Sequence, residues 1–186
     1  MTRRCFVALD LSDEVRTTVV GVIESWRTQF DENVRWVQSA NLHVTMLFIG
    51  NVADDRMTEL CGCVRRAVEK SKPIVFELSK FEAWPNSNRA SVLVVNLNEP
   101  NGDNAADLAL RLRREFSAAN FAFDQKSFRP HITVARFRRP VRVDTEQKSL
   151  PIMRWSIQDV RLMTSQLTKV GSIYHLEDVT PLLCKE

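Results

Sequence analysis

Several features that would place a chain in a membrane, secreted or disulfide-rich class are scarce in this sequence of 186 residues. No stretch approaches the ~20 consecutive apolar residues that a transmembrane helix requires. The amino end, MTRRCFVALDL, has only a short apolar run before Asp10 and Asp13, so it lacks the apolar region and cleavage site of a secretory signal. The four cysteines are too few and too unevenly spaced to stabilise the chain through disulfide bonds, which indicates reduced thiols and a cytoplasmic location.

Metal ligands are scarce as well. Cys61 and Cys63 are close together, but no CxxC or His-rich partner follows at zinc-ligand spacing, and the pair lies in a helical pattern. We therefore expect neither a metal nor another cofactor.

Charge has a local bias, although the net charge is only +3. Between Arg129 and Arg161, eight basic residues stand against three acidic residues. Such a segment would attract a polyanion, but a solvated surface rich in arginine has the same composition.

The hydrophobic pattern predicts one folding unit in which helices and strands are mixed. Ser12 and Asp13 can cap the first helix. Most connections between strands are too short for a parallel crossover, so we expect mostly antiparallel pairing. Strands are predicted at 5–11, 34–38, 41–50, 73–81, 90–97, 131–137, 155–167 and 172–179, and helices at about 13–30, 54–70 and 104–120.

Two of the three histidines occur in the same short pattern, HVTM at 43–46 and HITV at 131–134. Side chains alternate between the two faces of a strand, so His43 and Thr45 share one face, as do His131 and Thr133. If these strands face each other across a groove, the site contains two imidazoles and two hydroxyls.

This set of groups suits in-line displacement at phosphorus. Because the ordinary pKa of histidine is near ~6.5, one ring can stay neutral and activate water while the other donates a proton to the departing oxygen. The hydroxyls of Thr45 and Thr133 would hold the non-bridging oxygens. A zinc site is a weaker interpretation, because neither stretch offers a third ligand on the same face. A threonine nucleophile would compete for the same histidines.

The blocks RWVQSANLHVTMLFIG, RPHITVAR and SQLTKVGSIYHL resemble those of the RNA 2′,3′-cyclic phosphodiesterases. These form a branch of the two-histidine (2H) phosphoesterase superfamily once called 2′-5′ RNA ligases. The similarity extends from CFVALDL to the carboxyl end. It implies an α+β, bilobed, pseudo-twofold fold, with two mostly antiparallel sheets flanking a central groove and helices on the outside. Residues 1–186 would form a single two-lobed domain.

The resemblance also implies hydrolysis of RNA 2′,3′-cyclic phosphate ends to 2′-phosphomonoesters, with His43 as proton donor and His131 as proton acceptor. The expected substrates are RNA with such ends or a nucleoside cyclic phosphate, handled by a monomer without a membrane or a metal. Joining of RNA ends through a 2′-5′ bond is the reverse reaction. Arg136 would face away from His131 in a regular strand, so its family-like position implies a bulge or a phosphate contact at the rim of the groove.

Other interpretations remain open at this point. The same groove could cleave 2′-5′ linked oligonucleotides or a small cyclic-phosphate metabolite, and a basic groove could bind RNA without turnover. His175 lacks the paired threonine, and strand alternation turns its neighbour Tyr174 the other way. Alternation also favours a core position for Phe48. The aromatic residues considered for stacking on a nucleobase are Phe48, Trp36, Trp84 and Phe128.

Overall fold

The computed structural model describes residues 1–28, 30, 33–146, 148–168 and 171–182. These residues form a mixture of strands and helices, and every strand pairing is antiparallel, which confirms the predicted α+β class. The elements are β1 (Thr2–Leu9), α1 (Asp13–Arg27), β2 (Val34–Trp36), β3 (Val44–Ala53), α2 (Met57–Val68), β4 (Val75–Trp84), β5 (Ala90–Asn98), α3 (Asn104–Ala118), β6 (His131–Val141), β7 (Arg154–Ser156), β8 (Asp159–Thr168) and β9 (Gly171–Pro181).

The described strands form one nine-stranded sheet, so the expectation of two separate sheets is wrong. The strand order is β7-β4-β5-β6-β3-β1-β8-β9, and β2 pairs with β6 beside this path. Among the described strand pairings, that of Val44 in β3 with Ile132 in β6 joins the two halves, whereas β2, from the amino-terminal part of the chain, pairs with β6 alone. We call β7, β4, β5 and β6 the first half and β3, β1, β8 and β9 the second half.

The sheet is curled. In the strand order, β7 and β8 are six strand spacings apart, which is about 29 Å in a flat sheet at ~4.8 Å per spacing. Only Ile157 and Gln158 connect them, a link that reaches at most about 11 Å. The single strand predicted at 155–167 is therefore two strands, because the chain crosses between the halves at this link.

The helices cover the apolar face of the sheet. Ser12 caps α1 as predicted, since its hydroxyl accepts a hydrogen bond from the Val15 amide at 3.3 Å. Trp26 of α1 is buried against Phe81 of β4, with 4.6 Å between ring centroids. Helices α2 and α3 pack on each other, and an ion pair joins Arg66 to Glu115 at 2.7 Å. Within the described ranges, no helix has the length and apolar character needed to cross a membrane.

The cysteines in the described part of the chain are free thiols. Cys5 is buried, and burial raises the pKa of its thiol to about 11. Cys61 and Cys63 are also unbridged, with the pKa of each raised by burial. These three thiols are therefore protonated at neutral pH. Cys184 lies outside the described residues.

Candidate active site

The two histidine strands meet at the centre of the sheet, at the antiparallel pair of Val44 and Ile132. Both residues are fully buried, so the neighbouring positions on each strand turn to the opposite face. Those positions hold the four residues that the repeated pattern singled out: His43, Thr45, His131 and Thr133. In a regular ladder this register sets His43 and His131 diagonally across the pair, with their Cα atoms roughly 7 to 8 Å apart.

Each imidazole is held by the carbonyl two residues before it. The Nδ1 of His43 lies 2.7 Å from the Asn41 carbonyl oxygen, and the Nδ1 of His131 lies 2.6 Å from that of Arg129. Because a carbonyl only accepts, both Nδ1 atoms carry the proton, which leaves Nε2 for proton transfer. The Nε2 of His43 contacts the Thr45 hydroxyl at 2.9 Å. The Thr45 hydroxyl donates a hydrogen bond to Nε2 when the His43 ring is neutral and accepts one from Nε2 when the ring is protonated.

A bulge follows each histidine at the same distance along the strand. Between β1 and β3 the register shifts past Met46, and between β5 and β6 it shifts past Val134. Each bulge adds one residue, which reverses the alternation beyond it. Arg136 consequently lies on the histidine face. This is the bulge that its position in the sequence implied as one of two alternatives.

The matching bulge in β3 overturns the core assignment of Phe48. Its side chain is 37% exposed on the histidine face, with its ring centroid 5.6 Å from that of Phe6. Phe48 and Arg136 therefore occupy equivalent positions, five residues after His43 and His131. One half presents an aromatic ring where the other presents a cation.

Aromatic rings surround His43. The Phe6 centroid is 5.2 Å from the imidazole, and Tyr174 of β9 stands edge-on at 5.4 Å. Tyr174 and its neighbour His175 point to opposite sides of β9, as strand alternation predicted, and Tyr174 is the one that faces the site. His175 is exposed on β9.

A different set of side chains surrounds His131. Trp84 lies 4.5 Å from the imidazole, and the guanidinium of Arg129 lies 4.7 Å from the Trp84 ring. Of the other aromatic candidates, Trp36 packs with Phe30 at 5.9 Å, and Phe128 lies against the core. Of the four candidates, only Phe48 and Trp84 therefore stay available for stacking near the two histidines.

Burial lowers the pKa of both histidines. For His43, burial is the main cause, the Asn41 carbonyl and the Asp10 carboxylate oppose it, and the charges of His131 and Arg136 add to it. For His131, burial again dominates, the Arg129 carbonyl opposes it, and the charges of Arg129 and Arg136 add to it. Arg136 is thus close enough to act on both rings. A bound anion would counter these effects and raise both pKa values.

The two halves differ in the residue beside each histidine. Asn96 of β5 pairs with His131, whereas the equivalent place beside His43 holds Asp10, one residue after the pair of Leu9 and Val44. Asp10 forms ion pairs with Arg16 and Arg161, while Asn96 donates to Glu82. A carboxylate therefore raises the pKa of His43, and an amide occupies the matching position beside His131.

Arg16 also braces the turn before His43. Its guanidinium donates to the carbonyls of Ser39 and Leu42, which flank the Asn41 carbonyl that holds the ring. The pocket next to His43 is lined by Phe6, Asp10, Asn41, Arg161, Met163 and Tyr174, among others. Asp10, Tyr174 and Arg161 were missed from sequence because each reaches the site from a distant strand.

A profile of the 2′-5′ RNA ligase superfamily matches residues 12–168. This chain belongs to that superfamily. The match includes both histidine patterns and agrees with the resemblance to the 2H phosphoesterases.

Relatives of this superfamily match over nearly their whole length. The RNA 2′,3′-cyclic phosphodiesterase of Methanothermobacter thermautotrophicus is 29% identical over 94% of this chain and 96% of its own. The enzyme of the same name from Thermotoga maritima is 28% identical over 92% of this chain and 91% of its own. The crystal structure of TT0787 of Thermus thermophilus superposes with a TM-score of 0.80 at 23% identity, covering 96% of this chain and 97% of that protein. The fold is therefore that of the superfamily.

No group of three or more His, Cys, Asp or Glu side chains in the described ranges is arranged to hold a metal ion. The residues at the centre of the sheet are instead two imidazoles, two hydroxyls and one guanidinium.

Proposed function

We propose that this protein hydrolyses RNA 2′,3′-cyclic phosphate ends to 2′-phosphomonoesters, with His43 and His131 as a general acid and a general base. The observation that carries the proposal is the register of Val44 with Ile132, which sets both imidazoles on one face of one sheet. The names of the relatives support the substrate class.

The proposed reaction is one in-line displacement at phosphorus. Nε2 of His131 takes a proton from water, whose oxygen attacks the phosphorus atom. The bond from phosphorus to O3′ breaks, and the protonated Nε2 of His43 gives its proton to O3′. Thr45, Thr133 and Arg136 hold the non-bridging oxygens and offset their growing charge. The phosphate remains on O2′.

The difference between Asp10 and Asn96 supports this assignment of roles. A general acid must keep its proton until the leaving group departs, and a carboxylate nearby favours the protonated ring. A general base must be neutral before reaction, and the cations Arg129 and Arg136 favour the neutral form of His131. The environment of each ring therefore suits its proposed task.

Turnover of adenosine 2′,3′-cyclic phosphate in excess EDTA tests the proposed function. We expect EDTA to leave the rate unchanged, because no step in the proposed mechanism uses a metal. The product should be the 2′-phosphate, identified by chromatography against both phosphomonoester standards. A 3′-phosphate product, or loss of activity that added divalent metal restores, would contradict the proposal.

The pH profile should reveal the role of Asp10. We expect a bell-shaped kcat/KM, in which the acidic limb reports the base His131 and the alkaline limb reports the acid His43. Asp10→Asn removes the negative charge that raises the pKa of His43, so the alkaline limb should move to lower pH while the acidic limb stays.

The matched control places a carboxylate beside the other ring. Asn96→Asp should raise the pKa of His131 and move only the acidic limb, to higher pH. The charged or titratable groups around His43 are Asp10 on the residue after β1, His131 and Arg136 on β6, Arg161 on β8 and Tyr174 on β9. If both variants moved the same limb, the assignment of acid and base would be wrong.

A further inference from the structure

A row of arginines leads away from the two histidines. Arg136 and Arg138 lie on β6 beyond the bulge, and both are exposed, whereas Phe137 between them is buried. Arg35 of β2 pairs directly with Arg136, so its side chain lies on the same face. Arg35, Arg136 and Arg138 therefore form one cationic patch, which we call the arginine track.

This arrangement is unfavourable by itself. Like charges directly opposite each other on neighbouring strands destabilise a sheet, and Arg35 stands directly opposite Arg136. None of the three arginines forms an ion pair with any residue that the structure describes, although nine other arginines do. A site that concentrates cations on an open face has the properties of an anion-binding surface.

The spacing of the track fits a linear polyanion. Arg136 and Arg138 are two residues apart on β6, about 6.6 Å, which is comparable to the separation of successive phosphates in an extended single strand of RNA. Arg136 is the member near the reaction centre, since its charge acts on both His43 and His131. Arg35 and Arg138 extend the positive surface from there along β2 and β6.

We propose that Arg35 and Arg138 bind the sugar-phosphate backbone that precedes the cyclic end, so that the preferred substrate is an RNA strand rather than a mononucleotide. This inference rests on the proposed function and adds the substrate class. Arg136 would bind the reacting phosphate, and the two outer arginines would bind phosphates that a mononucleotide lacks.

The test compares two substrates with one double variant, Arg35→Gln with Arg138→Gln. The substrates are adenosine 2′,3′-cyclic phosphate and a short oligoribonucleotide that ends in the same group. We expect kcat/KM for the oligonucleotide to fall on the order of tenfold at low salt, because two charge-assisted phosphate contacts are lost. The value for the mononucleotide should stay within about twofold, since in the proposal its single phosphate is bound by the histidines, the threonines and Arg136.

Salt dependence provides a second measurement. Each phosphate contact to a single strand contributes about 0.7 to the slope of log affinity against log salt, so the double variant should lose roughly 1.4. The charge-matched control replaces Lys70 and Arg114, which are exposed at the end of α2 and on α3, with glutamine. The control should behave as the unmodified protein does with both substrates.

Three results would overturn the inference: an unchanged oligonucleotide rate and salt slope in the double variant, an equal loss on both substrates, or an equal loss in the control. Failure of the proposed function has a different signature, because the unmodified protein would then hydrolyse neither substrate. Thermal unfolding of each variant verifies that the sheet is intact.

Discussion

Replacing either His43 or His131 with alanine is expected to lower kcat by roughly 10²- to 10⁴-fold, the usual contribution of a positioned acid or base. Without His43 the O3′ leaving group departs unprotonated, and without His131 the attacking water keeps its proton. In the proposed mechanism the two rings serve a single step, so the activity of the double variant should fall far less than the product of the two single losses. Single-turnover rates with adenosine 2′,3′-cyclic phosphate measure the loss in the two single variants and in the double variant.

The third histidine provides the matched control, because His175 is exposed on β9 and its replacement by alanine should leave kcat unchanged. His43 packs against Phe6 and Tyr174, so His43→Gln serves as a second variant that keeps most of the ring volume. The pH profile separates the roles: loss of His43 should abolish the alkaline limb, and loss of His131 the acidic limb. A folded variant of either residue with full activity would refute the mechanism.

Replacing Arg136 with alanine should cost about 10²-fold or more in kcat/KM, comparable to removing one donor that stabilises charge at a transition state. The loss has a second signature, because the charge of Arg136 lowers the pKa of both histidines. Removing it should raise both, so both limbs of the pH profile should move to higher pH.

Arg136→Lys keeps the charge but loses the planar pair of donors. Both limbs of the pH profile should therefore stay where they are in the unmodified protein, while kcat/KM recovers only in part. Arg114→Ala removes an equal charge from the exposed surface of α3 and should change neither quantity. If Arg136→Ala lowered the activity but left both limbs of the pH profile in place, Arg136 would have to lie away from the two histidines.

The placement of the two histidines and two threonines at the centre of the sheet was predictable because it depends on the shortest-range pattern. HVTM and HITV alternate strictly, so the face shared by each histidine and its threonine follows from strand geometry. The buried partners Val44 and Ile132 occupy the positions that alternation assigns to them. The three helices, and the cap of α1 at Ser12, were predictable for the same reason, since each depends on neighbours within a few residues.

What lay beyond sequence reasoning depends on pairing between distant strands. Phe48 was assigned to the wrong face because the bulge past Met46 is set by the register of β3 against β1. Tyr174 and Asp10 reach the site from β9 and from the end of β1, which no local pattern connects to His43. The union of the two halves into one sheet also depends on the single described pair of Val44 with Ile132.

The order in which the chain fills the sheet has a consequence for how the protein unfolds. The chain begins in the second half with β1, visits the first half through β4 to β7, and returns at β8 across two residues. The second half is built from both ends of the chain and cannot be completed by a contiguous fragment, so denaturation should follow a single cooperative transition. The short return link also limits how far the two halves can separate, so the folded sheet sets the distance between the two imidazoles.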